Sequence, residues 1–170
     1  MKLSEIIIEP YDTLLLDRDG TINVHLEGDY VKTWKDFEFI PGVLEAMPRL
    51  AQHFKHIFIV TNQRGIGKGL FSERVLDEIH QRMIVAIENV GGRIDGIYYC
   101  TSLTEEDIRR KPGRGMFDDI RHDYPDIKPQ STLMVGDSDV DMEFAQNCSI
   151  DFCRVDSLKK KNCDYKWIKA

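Results

Sequence analysis

The chain has 170 residues, of which 42% are hydrophobic and 31% are charged. This composition is typical of one soluble globular domain and excludes an intrinsically disordered chain. The net charge of −6 argues against a broad nucleic-acid-binding surface, so phosphate groups would have to be bound by a local cation or a metal ion.

Apolar runs typical of strands alternate with helical patterns along the chain. In chain order, the sequence predicts strand 13–17, helix 41–54, strand 56–62, helix 72–92, strand 96–100, helix 115–124, strand 131–137, helix 139–148 and strand 151–155. Ser72 is expected to cap the second helix and Gly91 to end it. The alternation predicts an α/β fold, a Rossmann-like three-layer α/β/α sandwich around a mostly parallel sheet of five or more strands. We expect a single domain over residues 1–170.

No apolar run approaches the roughly 18 residues that a membrane-spanning helix needs. The apolar run at 6–8 is also too short for the core of a signal peptide. We therefore expect a cytoplasmic protein that binds neither membrane nor nucleic acid. None of the four cysteines, at 100, 148, 153 and 163, forms a Cys-x-x-Cys pair, which predicts reduced and mostly buried thiols.

Reactive side chains follow the predicted strands, at the edge of the sheet where open α/β folds bind ligands. In strand order they are Asp17 and Asp19, then Thr61, then Lys111 beyond a charged loop, and then Asp137. Packed carboxylates repel one another unless an oxygen-binding metal such as Mg²⁺ joins them. One aspartate can then attack a phosphoryl group while a second carboxyl transfers the proton, and Thr and Lys hold the phosphoryl oxygens. The set predicts metal-assisted phosphoryl transfer.

Four motifs in order resemble those of the haloacid dehalogenase superfamily: "DRDGT" (17–21), "TN" (61–62), Lys111 and "GDSDVD" (136–141). The resemblance covers roughly residues 12–155. The resemblance is narrower for one subgroup, which contains the D-glycero-D-manno-heptose 1,7-bisphosphate phosphatases and the histidinol-phosphate phosphatases. The segments that resemble this subgroup are "DRDGTIN", "TNQRGIGKG" and "RKP". Members of this subgroup have almost no cap domain, and too few residues separate Asp19 from Gly42 here to form one.

The resemblance implies a role for each matching residue. Asp17 would be the nucleophile and a Mg²⁺ ligand, Asp19 the acid/base and a Mg²⁺ ligand through its backbone carbonyl, and Asp137 the third protein ligand. Thr61 and Lys111 would stabilise the phosphoryl group. The expected substrate contacts are Arg110, Asn62, Gln63, Arg64 and the segment from His25 to Gly28.

Two departures from the subgroup are visible. Many members carry a structural zinc site whose cysteines and histidine bracket the loop before "RKP", but here "YYCTSLTEEDIRRKP" contains Cys100 alone. Since one thiolate cannot build a four-ligand zinc site, we predict no zinc. In the subgroup, the same loop tunes substrate preference. Because the loop differs here, the resemblance does not determine the substrate. Ser138 stands where the bisphosphatases commonly have Lys, which removes one cation beside the metal site.

Several residues have simpler interpretations. Asp17 and Asp19 could form a solvated turn, and Lys111 could be an ordinary exposed lysine, but the other motifs in register favour catalysis for all three. Asp141 could cap a helix or support the metal, and the sequence leaves both open. "GIGKG" (65–69) lacks the Ser or Thr that follows Gly-Lys in a nucleotide-binding loop and is not interpreted as one.

The remaining histidines and aromatic residues have mostly structural interpretations. His25 could contact substrate or lie in an exposed loop. We expect the other histidines at the surface or at helix ends: His53, His56, His80 and His122. We expect three aromatic residues to pack the loop after the first motif against the domain, although they could also form a wall of the substrate cleft: Trp34, Phe37 and Phe39.

The sequence as a whole predicts a Mg²⁺-dependent phosphatase that acts through an aspartyl-phosphate on a small phosphorylated sugar or polyol. Heptose 1,7-bisphosphate is the leading substrate, ahead of histidinol phosphate, and the protein would be a monomer or small homo-oligomer. A receiver-like phosphate-binding module is the alternative from another class. Such a module has no leaving alcohol to protonate and would not need Asp19. A degenerate member of the superfamily is disfavoured because every catalytic position is filled.

Overall fold

A computed structural model of the chain describes residue 6, residues 8–156 and the backbone of residues 167–168. The strands are β1 (Thr13–Leu16), β2 (His56–Asn62), β3 (Gly96–Cys100), β4 (Thr132–Gly136), β5 (Asp151–Val155) and β6 (Trp167–Ile168). The α-helices are α1 (Val43–His53), α2 (Arg64–Gly67), α3 (Glu73–Asn89), α4 (Gly115–Asp123) and α5 (Asp139–Cys148).

The strands form one sheet in the order β3-β2-β1-β4-β5-β6. Strands β1 to β5 pair in parallel, and β6 pairs antiparallel with β5 at the edge. All residues of β1 and β4 are buried, as expected for central strands of a parallel sheet that is covered on both faces. The predicted mostly parallel α/β sheet is confirmed.

Helices cover both faces of the sheet because successive side chains of a strand point in opposite directions. Leu14 and Leu16 of β1 belong to a core cluster with residues of α1 and α3, including Leu50 and Met83. Leu15, between them, belongs to a second cluster with residues of α4 and α5. The central strand therefore joins two hydrophobic layers and fixes the position of the residues that follow it.

Most element boundaries agree with the sequence prediction. Ser72 caps α3, since its Oγ accepts a hydrogen bond from the Val75 amide at 3.3 Å. The first helix begins at Val43 rather than at residue 41, because Gly42 occupies the N-cap with a positive φ of 89°. Four short elements were not predicted: α2, β6 and the 3-10 helices Trp34–Asp36 and Pro129–Ser131.

The aromatic residues after the first motif pack as predicted. The rings of Trp34 and Phe37 stack at 4.9 Å between centroids, and Phe39 meets Phe37 edge-on at 5.0 Å. Phe37 is part of the core, and the other two rings pack against it. The prediction for His80 was wrong, because this side chain is only 5% exposed and lies on the buried face of α3.

Three cysteines, Cys100, Cys148 and Cys153, are buried and form no disulfide bond within the described residues, as predicted. Cys163 lies outside the described residues. Within the described ranges, no helix is long and apolar enough to cross a membrane.

Candidate functional site

The predicted reactive residues meet at the carboxyl ends of the central strands. Asp17 follows β1 and Asp137 follows β4, and these neighbouring strands begin the two halves of the sheet. Ligands bind at such a switch point in open α/β sheets. A cleft of about 520 Å³ opens there. It is lined by Asp17, Asp19, His25, Thr61, Asn62, Arg64, Arg110, Lys111, Asp137, Ser138, Val140 and Asp141. The structure thus brings together the predicted site residues, with two exceptions. Residues 26–28 of the predicted substrate-binding segment do not line this cleft, and Gln63 is buried behind its surface.

Lys111 forms a buried ionic bridge inside the cleft. Its Nζ donates hydrogen bonds to Asp17 Oδ1 at 2.8 Å and to Asp141 Oδ1 at 2.6 Å. The lysine side chain is only 3% exposed, so water screens these contacts little. Burial alone would lower the pKa of Lys111, but the charges of Asp141 and Asp17 outweigh it and raise the pKa above its usual value. The lysine is therefore cationic at any physiological pH.

Three carboxylates form a cluster that could hold a metal ion. One oxygen from each of Asp17, Asp137 and Asp141 lies within 4.8 Å of the other two. Burial and the charge of Asp141 raise the pKa of Asp17 well above its usual value, although Lys111 opposes this. Burial and Asp141 also raise the pKa of Asp137. Three carboxylates with one ammonium leave excess negative charge, which a divalent cation with oxygen ligands would neutralise.

Glycine is required at Gly20 for this cluster to form. The residue has a positive φ of 94°, which disfavours other L-residues. A Cβ at this position would also collide with the Asp137 carboxylate. Gly20 therefore lets the chain turn away from β1 and lets Asp137 approach the end of that strand.

The Asp19 carboxylate is held by side chains from two parts of the chain. Its Oδ1 accepts hydrogen bonds from Arg18 at 2.8 Å and from Asn23 at 3.0 Å. Its Oδ2 accepts from Gln63 Nε2 at 2.9 Å. Burial opposes ionisation of Asp19, but the Arg18 charge and these donors together lower its pKa. In this arrangement Asp19 is an ionised carboxylate, which suits a proton acceptor and must take up a proton before it can donate one.

Asn62 and Gln63 contact protein groups in the structure. The Asn62 side chain donates to the Lys111 carbonyl at 3.0 Å and accepts from the Lys111 amide at 2.9 Å. Gln63 is 3% exposed and donates to Asp19 and to Thr61 Oγ1. Both side chains thus fix the positions of predicted catalytic residues, and the substrate contacts predicted for them stay predictions.

Asp141 combines the two roles that the sequence left open. It forms a capping box at the start of α5, in which its amide donates to Ser138 Oγ at 3.3 Å and its Oδ2 accepts from the Ser138 hydroxyl at 2.7 Å. Its Oδ1 remains bound to Lys111 and belongs to the acidic cluster. Helix capping therefore anchors a carboxylate that also faces the cleft.

Three further basic side chains line the cleft. Arg110 donates from one terminal nitrogen to the Leu103 carbonyl at 2.9 Å, which ties it to the loop before Lys111. Arg64 lies at the start of α2, and His25 lies in the loop after β1. The two arginines could donate hydrogen bonds to an anionic group in the cleft.

The loop without the zinc ligands has a different polar contact. The Cys100 thiol donates to Asp107 Oδ2 at 3.7 Å, and burial raises the thiol pKa. A raised pKa disfavours the thiolate that a metal site requires. The absence of zinc stays a prediction.

Three residues around Asp19 were not identified as site residues from sequence: Arg18, Asn23 and His80. Arg18 is 1% exposed and contacts both Asp19 and His80. Arg18 lies between the two motif aspartates, but no spacing rule links it to a histidine on α3.

Comparison with known proteins places these residues in a family. A family model described as polynucleotide kinase 3 phosphatase matches residues 13–167. The chain is 38% identical over 135 residues to the D-glycero-alpha-D-manno-heptose-1,7-bisphosphate 7-phosphatase of Mycobacterium bovis, covering 79% of this chain and 71% of the relative. It is 39% identical over 145 residues to the beta-anomer 7-phosphatase of Escherichia coli, covering 81% and 75%.

Solved structures agree with these matches. The D,D-heptose 1,7-bisphosphate phosphatase of B. bronchiseptica, complexed with magnesium and phosphate, superposes with a TM-score of 0.77 at 33% identity, covering 83% of this chain and 78% of that one. The corresponding enzyme of Burkholderia thailandensis gives a TM-score of 0.59 at 31% identity, covering 82% and 74%. The chain therefore belongs to the haloacid dehalogenase superfamily, in the group of phosphatases that includes the heptose bisphosphate phosphatases.

Proposed function

We propose that the protein is a Mg²⁺-dependent phosphomonoester hydrolase that forms an aspartyl-phosphate on Asp17. The observation that carries this proposal is the position of the Asp17 carboxylate. It lies at the end of the central strand, in an open cleft, bound to a buried ammonium and next to two further carboxylates. Such a carboxylate can attack phosphorus while cations nearby neutralise the incoming phosphoryl oxygens.

The side chains support a two-step reaction. Asp17 attacks phosphorus, the phosphorus–oxygen bond to the alcohol breaks, and Asp19, once protonated, gives its proton to the leaving oxygen. Asp19 then takes a proton from a water molecule, which attacks the phosphorus and releases inorganic phosphate and free Asp17. Thr61 lines the cleft and Lys111 supplies the charge that holds the transferred group.

The acidic cluster fits a divalent cation with oxygen ligands. Asp17 and Asp137 would hold Mg²⁺ with their carboxylates, and Asp19 with its backbone carbonyl. The fit rests on the excess negative charge of the cluster, which together with the larger effect of burial raises the pKa values of Asp17 and Asp137. Bound Mg²⁺ would neutralise phosphoryl charge and keep Asp17 ionised.

The preferred substrate is D-glycero-D-manno-heptose 1,7-bisphosphate, hydrolysed at the 7-phosphate. The names of the relatives support it. The two arginines that line the cleft, Arg64 and Arg110, also support it, since they would suit a substrate with two phosphates. Relatives of both anomeric names have similar identity to this chain, so the anomer is left open. Histidinol phosphate, which has one phosphate, is the second candidate.

A receiver-like module that is phosphorylated without turnover is less well supported. Asp19 is bound by donors on Arg18, Asn23 and Gln63, an arrangement that a module without a leaving alcohol would not need. The cytoplasmic location, the absence of nucleic-acid binding and a monomeric or small homo-oligomeric state stay predictions.

Release of inorganic phosphate from a substrate panel tests the proposal. The panel contains heptose 1,7-bisphosphate in both anomers, histidinol phosphate, simple sugar phosphates and a 3′-phosphorylated oligonucleotide, each with Mg²⁺ and with EDTA. We expect the heptose bisphosphate to be hydrolysed most efficiently and only with Mg²⁺. Asp17→Asn should lose at least about 1,000-fold in kcat, whereas Asp126→Asn, at an exposed aspartate that pairs with Lys55, should keep it. Activity that survives EDTA or Asp17→Asn would refute the proposal.

A further inference from the structure

A buried arginine–histidine pair lies directly behind the Asp19 carboxylate. Arg18 Nη1 and His80 Nε2 are 3.1 Å apart, and the two residues are 1% and 5% exposed. They lie 62 positions apart in the chain, so α3 has to pack against the end of β1 for the contact to form. His80 is on the buried face of that helix, next to Ile79.

The chemistry of the pair fixes which atom carries the proton. A guanidinium has only N–H donors, so His80 Nε2 has to accept the hydrogen bond and its proton has to be on Nδ1. Burial, and then the charge of Arg18, lower the pKa of His80 to about 3. His80 is therefore a neutral acceptor at neutral pH, and its role toward Arg18 is to hold it.

Among the described residues, both His80 and Asp19 orient the Arg18 guanidinium. Nη1 contacts His80, and Nη2 donates to Asp19 Oδ1 at 2.8 Å. In the part of the chain that the structure describes, Arg18 Nε is buried and has no hydrogen-bond partner. Removing the His80 acceptor would leave a buried N–H group unpaired, and the guanidinium would shift to satisfy it. The Asp19 carboxylate, bound to the same guanidinium, would then shift with it.

We propose that His80 is a positioning residue, which holds Arg18 and through it sets the place and direction of the Asp19 carboxylate for proton transfer. This inference rests on the proposed function, since it assigns His80 to the proton-transfer step of that reaction. His80 touches neither the cleft surface nor the acidic cluster, in contrast to the residues that line the site.

The test separates proton transfer from general damage by changing the leaving group. An alkyl phosphate needs a proton on its leaving oxygen, whereas p-nitrophenyl phosphate releases a stabilised phenolate that does not. For both substrates, kcat/KM reports the steps up to formation of the aspartyl-phosphate. The sugar phosphate is heptose 1,7-bisphosphate, the substrate proposed above. Wild type, His80→Leu, His80→Gln and His80→Asn are each assayed with saturating Mg²⁺ on this sugar phosphate and on p-nitrophenyl phosphate.

For His80→Leu we expect kcat/KM to fall about 10-fold on the sugar phosphate and less than about 2-fold on p-nitrophenyl phosphate. In His80→Gln the amide oxygen takes the place of Nε2, so the sugar-phosphate value should recover to within about 3-fold of wild type. His80→Asn carries the same amide on a shorter side chain that cannot reach Arg18, so it should behave like His80→Leu. It provides the same comparison if the leucine variant does not fold. Met83→Ala, at a fully buried core residue of α3, controls for loss of stability and should not discriminate between the substrates.

Equal losses on both substrates in His80→Leu and His80→Asn, or no recovery in His80→Gln, would overturn the inference and leave the proposed function intact. A wild-type enzyme that hydrolyses neither substrate with Mg²⁺ would instead refute the proposed function, and the inference with it.

Discussion

Replacing Lys111 with methionine removes a buried cation from between two carboxylates and keeps the length of the side chain. The ammonium lies 2.8 Å from Asp17 Oδ1 and 2.6 Å from Asp141 Oδ1, and the Asp141 side chain is only 2% exposed. Breaking a buried ion pair by removing one partner typically costs about 3–5 kcal/mol in free energy of unfolding. We expect this loss for Lys111→Met at pH 7.5 in EDTA.

Protonation limits the loss and gives it a pH dependence. The variant can relieve the repulsion by protonating one carboxylate. For a carboxyl group with an ordinary pKa of about 3.9, taking up this proton costs about 5 kcal/mol of free energy at pH 7.5 and about 2 kcal/mol at pH 5.5. Burial and neighbouring carboxylates already raise the pKa of Asp17 in the folded state, and loss of the lysine would raise it further above the unfolded value. The free energy of unfolding of the variant is therefore closest to that of wild type at low pH. It falls relative to wild type as the pH rises. The difference between the two proteins should shrink to about 2 kcal/mol at pH 5.5.

Urea unfolding followed by circular dichroism at both pH values measures these differences, with EDTA present to remove bound metal. Lys55→Met is the matched control, since Lys55 forms an ion pair with Asp126 in which both side chains are exposed; this change should leave the stability nearly unaltered. A Lys111→Met variant within about 1 kcal/mol of wild type at pH 7.5, or a difference that does not shrink at pH 5.5, would refute the electrostatic account of the cluster.

The acidic cluster, the buried His80 and the turn at Gly20 each give a further prediction. Magnesium should raise the melting temperature in scanning calorimetry, more at pH 7.5 than at pH 5.5, because protons compete for Asp17 and Asp137, whose pKa values are raised; an equal rise at both pH values would contradict this. His80 has its pKa lowered to about 3, so its contribution to stability is present above pH 6.5 and is lost as the pH falls. In urea unfolding, wild type should lose about 2 kcal/mol more than His80→Gln between pH 7 and pH 5, and equal losses would count against the neutral histidine. Gly20→Ala should cost at least about 1–2 kcal/mol in urea unfolding, since φ is 94° and the new methyl group meets the Asp137 carboxylate. Its kcat should fall at least about 10-fold, and wild-type values would show that the close approach is unnecessary.

The features that sequence predicts well here are local. Asp17 and Asp19 follow an apolar run whose length and composition identify a buried strand, and the order of strands and helices fixes where that strand must lie. The residues after β1, β2 and β4 therefore meet at one edge of the sheet, and Lys111 joins them from the loop after β3. The N-cap of α3 at Ser72 also follows from local hydrogen-bonding chemistry.

The features that sequence did not predict depend on contacts between distant segments. His80 resembles the other polar residues of an amphipathic helix, and its burial has a reason only when the Arg18 guanidinium is known to lie beside it. The double use of Asp141, as a capping residue and as a partner of Lys111, likewise requires the three-dimensional position of a residue 30 positions away. The helix α2 is too short for its period to be recognised.

The central claim is that Asp17 carries the phosphoryl group during turnover. Enzyme mixed with substrate and Mg²⁺ can be quenched in acid, treated with labelled borohydride and digested, because borohydride reduces an aspartyl-phosphate to homoserine. We predict label in homoserine at position 17 of the wild type and none in Asp17→Asn or in enzyme quenched without substrate. Phosphate release by wild type with no label at position 17, or with label at another aspartate, would contradict the assignment of Asp17 as the nucleophile.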